Sequence, residues 1–261
     1  MRFYLKINAV LFLLLNLLFS CNKQMPERQR PVGEHMVKVG FEAFSGDSDL
    51  KSAVSVGDSY INNVIACIYD TRGMLVGELS FSGGTVGYIN LMTGRAYNVY
   101  AIANVPHFSA PERESEILSM RYNLARISDL DKSGFPMVSK VQISITGSSL
   151  KVRLNMIRLV SRISFTKESS SLPGFKITSV RLMNAPLDAS YFKGLSAATA
   201  TAEGDYATAE DLNVLNGGGA VDFYMLENCQ GVLLPDNTDP AKKVPGNLPA
   251  AKSELGTYFE V

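Results

Sequence analysis

The chain has 261 residues, 46% hydrophobic and 19% charged, with 25 basic residues against 25 acidic ones, two histidines and three cysteines. Balanced charge carries no electrostatic footprint for nucleic acid, two histidines exclude a histidine-rich metal centre, and three cysteines exclude a disulfide framework. This apolar content is enough for one large or two ordinary domains.

At the N-terminus, Arg2 and Lys6 precede an almost wholly apolar run over residues 7–19, the layout of a secretory signal. Only residues 7–20 lie between Lys6 and Cys21, whereas a membrane-spanning helix needs roughly 20 apolar residues. Cleavage is therefore expected rather than a retained helix. The run closes on Leu18, Phe19, Ser20 and Cys21, which resembles the bacterial lipoprotein box, where an apolar and a small residue precede a cysteine that is diacylated and becomes residue one. Lipid attachment is expected at Cys21, since acyl chains burying about 0.8 kcal/mol per CH₂ hold a protein to a membrane without a spanning helix. The protein is then expected outside the cytoplasm of a bacterium. Loss of residues 1–20 leaves 23 basic residues against 25 acidic ones, a formal charge of minus two. Cys67 and Cys229 are far apart and read as two buried thiols in preference to a disulfide.

Residues 36–44, MVKVGFEAF, set Val37, Val39, Phe41 and Ala43 against Lys38 and Glu42, the period of two of a half-buried strand. A polar, glycine-punctuated gap follows. YINNVIACIYD and MLVGELSFS then flank DTRG, whose Asp70 and Gly73 suit a tight hairpin. In YINLMTGRAYNVYAIANV, Tyr97, Val99 and Ala101 alternate with Asn98, Tyr100 and Ile102, and residues 93–94 supply a turn. The charged stretch that begins just after Pro111 predicts a short helix. VQISITG and LKVRLNMIRLVSRISF return to strand, but the second changes phase. Val152, Leu154 and Met156 share one face, whereas Ile157, Leu159, Ile163 and Phe165 share the other. A slip of one residue exchanges the faces of a strand, so the change marks either a bulge near Met156 and Ile157 or the passage between two sandwiches. FKITSVRL, AVDFYML and TYFEV predict further strands between loops rich in Gly, Asn, Asp and Pro. Short strands with little helix point to an all-β protein built of sandwiches. Only about four strands are found after Ile157, so the second half reads as incomplete.

Chemistry is sparse. His35 falls in the polar leader and His107 in a loop, and no CxxC, HExxH, phosphate loop or GxSxG elbow occurs. Ser48 and Ser59 end two GDS tripeptides similar to the nucleophile motif of one esterase family, but such a serine needs a base, and no histidine follows His107. Turn formation explains both tripeptides. NGGGA lacks the lysine–serine pair and the following helix of a phosphate cradle. Tyr60, Tyr97, Tyr100, Tyr224 and Tyr258 are candidates for a glycan-lining set, against the commoner role of cross-strand packing. No catalytic residue, metal or cofactor is expected.

The lipobox ending in Cys21, NNVIACIYDTRGML, LMTGRAYNVYAIANV with Asn104, GFPM at residues 134–137, RLVSRISF, FKITSVRLMNAP and FYMLENCQG together resemble the fimbrillin-like lipoproteins of Bacteroidales. These are subunits of the type V pilus, and the likeness is to their longer tip-like or accessory members. The resemblance implies two tandem transthyretin-like or Ig-like β-sandwiches, the second incomplete. The implied division is a signal peptide at 1–20, a lipidated leader with a removable first strand at 21–51, an N-terminal sandwich at 52–156 and a C-terminal sandwich at 157–261. It also implies proteolysis between Lys51 and Ser52, removal of the strand over residues 36–44, and filling of the resulting groove by another subunit, which is strand addition to an open edge. The family's best-known processing is arginine-specific, whereas position 51 is lysine. Either a protease of different preference acts there, or the subunit stays uncut and keeps its lipid as an anchor. Arg28 and Arg30 are alternative cut sites, the latter disfavoured by Pro31. The family's donor strand would follow TYFEV. The implied partners are other fimbrial subunits, the outer membrane through the Cys21 lipid, and a host or bacterial surface ligand, with no nucleic acid. The implied location is the outer membrane, cell surface and fimbrium. The alternative is a glycan- or protein-binding surface lipoprotein that does not polymerise.

Overall fold

The described residues of the computed structural model are 35–45, 60–130, 134–147, 149–167, 174–192, 206–209, 211–226 and 257–261. Cys21, Arg28, Arg30, Ser48, Lys51, Ser52, Ser59 and Cys229 lie outside them. The expected first strand is present as β1 (Met36–Ser45), with Val37, Val39, Phe41 and Ala43 all buried. The expected hairpin joins β2 (Asn63–Asp70) to β3 (Leu75–Ser82). Asp70 makes its turn by accepting the backbone N–H groups of Arg72 and Met74 on Oδ1, at 2.9 and 3.0 Å. Gly73 takes the left-handed φ of 75° that such a turn requires.

β4 (Val86–Met92), β5 (Ala96–Ala103), β7 (Met137–Ser144) and β8 (Ser149–Arg158) complete a seven-stranded sheet in the order β3-β2-β5-β7-β8-β1-β4. β7 and β8 pair at only two positions, Met137 with Arg158 and Val138 with Ile157, so the sheet divides there into two layers. Their inner faces share one core, in which Val64, Ala66, Ile68, Val99 and Ala101 meet Val39, Phe41, Val152, Leu154 and Met156. β3 and β4 close the open side. A Cβ on Gly77 would lie 2.4 Å from Ile89 Cδ1, and one on Gly87 would lie 2.2 Å from Leu79 Cδ1, so each glycine makes room for a side chain of the facing strand.

After Arg158 the chain bends at Leu159, which is buried, into β9 (Val160–Thr166). β9 pairs antiparallel with β13 (Ala220–Leu226) over seven residues, while β10 (Arg181–Met183) lies between β12 (Ala207–Thr208) and β14 (Tyr258–Glu260). Between these two sheets Val221, Phe223 and Met225 pack with Val180 and Leu182, and Phe259 makes ring contacts with Phe165 and Phe223 at 5.6 and 5.0 Å. The ribbon of β6 (Arg121–Asn123) and β11 (Asp188–Ser190) links the two parts, and residues 36–261 form one compact unit. The described residues are thus nearly all β, in several packed sheets, as the sequence pattern indicated.

Three local expectations need correction. Ile157 does not share the inner face with Leu159, Ile163 and Phe165: it is 66% exposed, because the change of phase occurs two residues later, at the Leu159 bend. Tyr100 and Ile102 are buried as fully as Val99 and Ala101, since β5 is covered on both faces. The short helix expected after Pro111 is present as one turn, Glu114–Ile117, followed by β6 and the 3₁₀ turn Ile127–Asp129. Of FKITSVRL only Arg181 and Leu182 join a ladder.

Candidate strand-exchange site

The feature with functional geometry is the position of β1. It runs antiparallel to β4 from the Met36–Met92 pair to the Glu42–Val86 pair, and parallel to β8 from the Lys38–Ser149 pair to the Ser45–Met156 pair. Among the described residues β4 has no ladder partner other than β1. Removing β1 would therefore leave one whole edge of β4 and most of one edge of β8 without hydrogen-bond partners, together with the core spaces filled by Val37, Val39, Phe41 and Ala43. Burial of each Val or Phe side chain is worth about 1.5–3 kcal/mol, so an empty slot would be costly, with an open edge able to template another strand.

The outer face of β1 is partly open, with Met36 and Lys38 exposed and Glu42 and Phe44 half-buried. The Lys38 ammonium lies 4.1 Å from the centre of the Tyr88 ring, and the Arg153 guanidinium lies 3.9 Å from that of Phe44. Lys38 and Tyr88 are exposed, while Gly40 is buried beneath the Tyr88 ring.

The chain on the far side of residues 46–59 is held independently of β1. Asn104 adopts φ 60° and is 3% exposed. Its Oδ1 accepts the Asn62 N–H at 2.8 Å, while its Nδ2 donates to the carbonyls of Tyr60 and Phe135, both at 2.8 Å. One side chain thus clasps the start of β2 to the end of β5 and to residues 134–136. Besides packing on β3, β4 is held by Tyr97, whose hydroxyl accepts the Met92 N–H at 3.1 Å and lies 3.3 Å from the Met92 carbonyl oxygen.

The sequence-predicted site residues Cys21, Lys51 and Ser52 lie outside the described residues. Cys67 is fully buried and free, and burial together with the nearby Glu78 carboxylate pushes its thiol up to about 12. His107 is exposed in its loop. The five candidate tyrosines do not gather: Tyr97 and Tyr100 are core residues, and Tyr60 is 62% exposed. Tyr88, the exposed ring beside β1, was not singled out by sequence reasoning, because only strand pairing places it opposite a glycine. No group of acidic, histidine and cysteine residues among the described residues could hold a metal ion.

Residues 37–151, which run from β1 to the start of β8, match the family of the major fimbrial subunit protein (FimA). The search of curated proteins found no match. Among solved structures, the chain is similar to the tip fimbrial protein Mfa3 of Porphyromonas gingivalis with a C-terminal truncation, at 16% identity and TM-score 0.61, over 86% of this chain and 77% of that one. It is also similar to a candidate cell adhesion protein of Bacteroides eggerthii, at 16% identity and TM-score 0.56, over 74% and 71% of the two chains. A candidate polysaccharide-binding protein of Bacteroides thetaiotaomicron matches at 11% identity and TM-score 0.51, over 77% and 73%. At these identities the shared property is the fold, a β-sandwich. Over residues 37–151 the chain is fimbrillin-like.

Proposed function

We propose that this fimbrillin-like chain is a non-catalytic subunit of a bacterial cell-surface fimbrium, exported as a lipoprotein through Cys21 and assembled by strand exchange at the β1 position. The observation that carries the reading is the place of β1. It is the first strand of the described chain and sits inside a sheet with a ladder on both sides, while Tyr60, beyond residues 46–59, is held by its own Asn104 clasp. A single cut within residues 46–59, for which Lys51 and Ser52 are the candidates, separates β1 from the described elements that follow it. The departing strand exposes two edges and an apolar slot, and an extended segment of another subunit satisfies both with backbone hydrogen bonds and alternate side chains. The match of residues 37–151 to a fimbrial subunit family and the likeness to fimbrial sandwiches support the same reading. The alternative of a glycan-binding surface protein loses Tyr97 and Tyr100 from its candidate set to the core.

N-terminal sequencing of fimbriae sheared from the cell surface, alongside membrane-bound material, tests the proposal. Membrane material starting at lipidated Cys21 and fimbrial material starting at Ser52 are expected. Chains that start only at Cys21 and never enter fimbriae would overturn assembly by strand exchange. Retention of membrane attachment in a Cys21→Ser variant would overturn the lipid anchor.

A further inference from the structure

Two neighbouring cross-strand pairs between β1 and β4 each set a glycine against a bulky partner, on opposite faces of the sheet. On the outer face Gly40 stands opposite Tyr88, and a Cβ on Gly40 would lie 3.0 Å from Tyr88 Cε1 and 3.1 Å from Val86 Cγ1. On the inner face Phe41, fully buried, stands opposite Gly87, whose missing side chain is replaced by Leu79 and Phe81 from β3. Glycine inside a strand has no side chain to pack and weakens the strand. The Tyr88 ring offsets this at Gly40 by covering the bare backbone, with Lys38 on the ring's face.

We infer that Tyr88 and Gly87 determine which strand the slot accepts and in which register: a glycine followed directly by a large apolar residue. The inference rests on the strand-exchange reading and specifies the partner for that site. A one-residue slip turns the large side chain out to solvent. A two-residue slip keeps the faces but brings Lys38 or Glu42 under the Tyr88 ring, with Val39 or Ala43 left to fill the space of Phe41. The occupant that fits is an extended segment of another fimbrial subunit, antiparallel to β4 and parallel to β8. It carries the glycine and large apolar pair between apolar residues at the positions of Val39 and Ala43.

The test uses the full chain with an engineered protease site in residues 46–59. The chain is nicked and offered fluorescent peptides of residues 36–45. The native-sequence peptide is expected to replace β1, and Gly40→Val and Phe41→Ala peptides to be taken up about tenfold less well, from overpacking and from a core cavity respectively. In nicked protein carrying Tyr88→Ala, the Gly40→Val peptide is expected to recover to within about twofold of native while Phe41→Ala stays weak. Equal uptake of native and Gly40→Val peptides by protein that retains Tyr88 overturns the inference and leaves strand exchange standing. No uptake of any peptide overturns strand exchange and the inference with it. In the uncut chain, unfolding of Gly40→Val, Tyr88→Ala and the double variant examines the same contact without exchange, and strictly additive effects overturn the inference.

Discussion

β1 and β5 are both interior strands with a ladder on either side, yet they are buried in different ways. β5, like its neighbour β2, is covered on both faces. Inward lie Val99 and Ala101 in the sandwich core, and outward Tyr100 and Ile102 pack with Ile117, Leu159 and Tyr191. The outer layer also satisfies the polar atoms it covers, because the Tyr100 hydroxyl and Asn98 Nδ2 both donate to the Glu114 carboxylate, and the Tyr69 hydroxyl donates to the Pro111 carbonyl at 2.9 Å. β1 buries one face only. The difference teaches that position within a sheet does not by itself set how much of the fold a strand holds. Loss of β1 would cost its own ladder and pockets, whereas loss of β5 would also dismantle a second layer.

The largest expected effect lies on the covered face. Tyr100→Ala removes a fully buried ring and a hydrogen bond to Glu114, and a loss of about 3–5 kcal/mol is expected in urea unfolding. A loss below about 1 kcal/mol, the level of an ordinary surface change, would mean that the outer layer does not hold β5 and would dissolve the contrast with β1. Asn104→Ala is next, at about 2–3 kcal/mol, because it leaves the buried Phe135 carbonyl and the part-buried Asn62 N–H and Tyr60 carbonyl without their side-chain partner. The same variant should speed proteolysis near Tyr60, and unchanged cleavage there would show that the fixed part of the fold does not begin at this clasp.

A smaller effect is expected at the β2–β3 turn. The Met74 N–H and the Arg72 side chain hold the Asp70 carboxyl below its ordinary value. A depressed carboxylate contributes stability that is complete above the unfolded pKa of about 3.9 and is lost as pH falls through the lower folded value. Asp70→Asn should cost about 1 kcal/mol at neutral pH, and the gap between variant and wild type should narrow below about pH 4. A gap that stays constant down to pH 2 would assign the effect to the turn's shape instead of its charge. The smallest effect belongs to the open face of β1: Lys38→Ala removes one exposed cation from the Tyr88 ring and should change stability by no more than about 1 kcal/mol. A loss as large as that of Tyr100→Ala would erase the distinction between the two strands.

Much of this contrast was legible only on one side. The inward set Val37, Val39, Phe41 and Ala43 could be read directly, because polar residues alternate with it along an otherwise open strand. Tyr100 and Ile102 carry no such mark. Their cover comes from Ile117, Leu159 and Tyr191, which no local pattern connects to β5. Ile157 was misplaced for a related reason: an apolar residue beside a change of phase belongs to whichever face the next bend chooses, and the bend came at Leu159. Asn104 drew notice as part of a motif, but its work could not be read from the motif, since its side-chain partners Tyr60 and Phe135 lie 44 and 31 residues away.

By itself the sequence determined the half-buried first strand, the Asp70 and Gly73 hairpin and the all-β character. All of these follow from side-chain periods and turn residues that act over a few positions. Only the tertiary structure decided that β1 lies between β4 and β8, that Gly40 meets Tyr88 while Phe41 meets Gly87, and that β5 is enclosed on both faces. Those outcomes depend on which distant segments pair and in what register. That choice is made by the whole core at once, because only the assembled sheets define which side chains share a space.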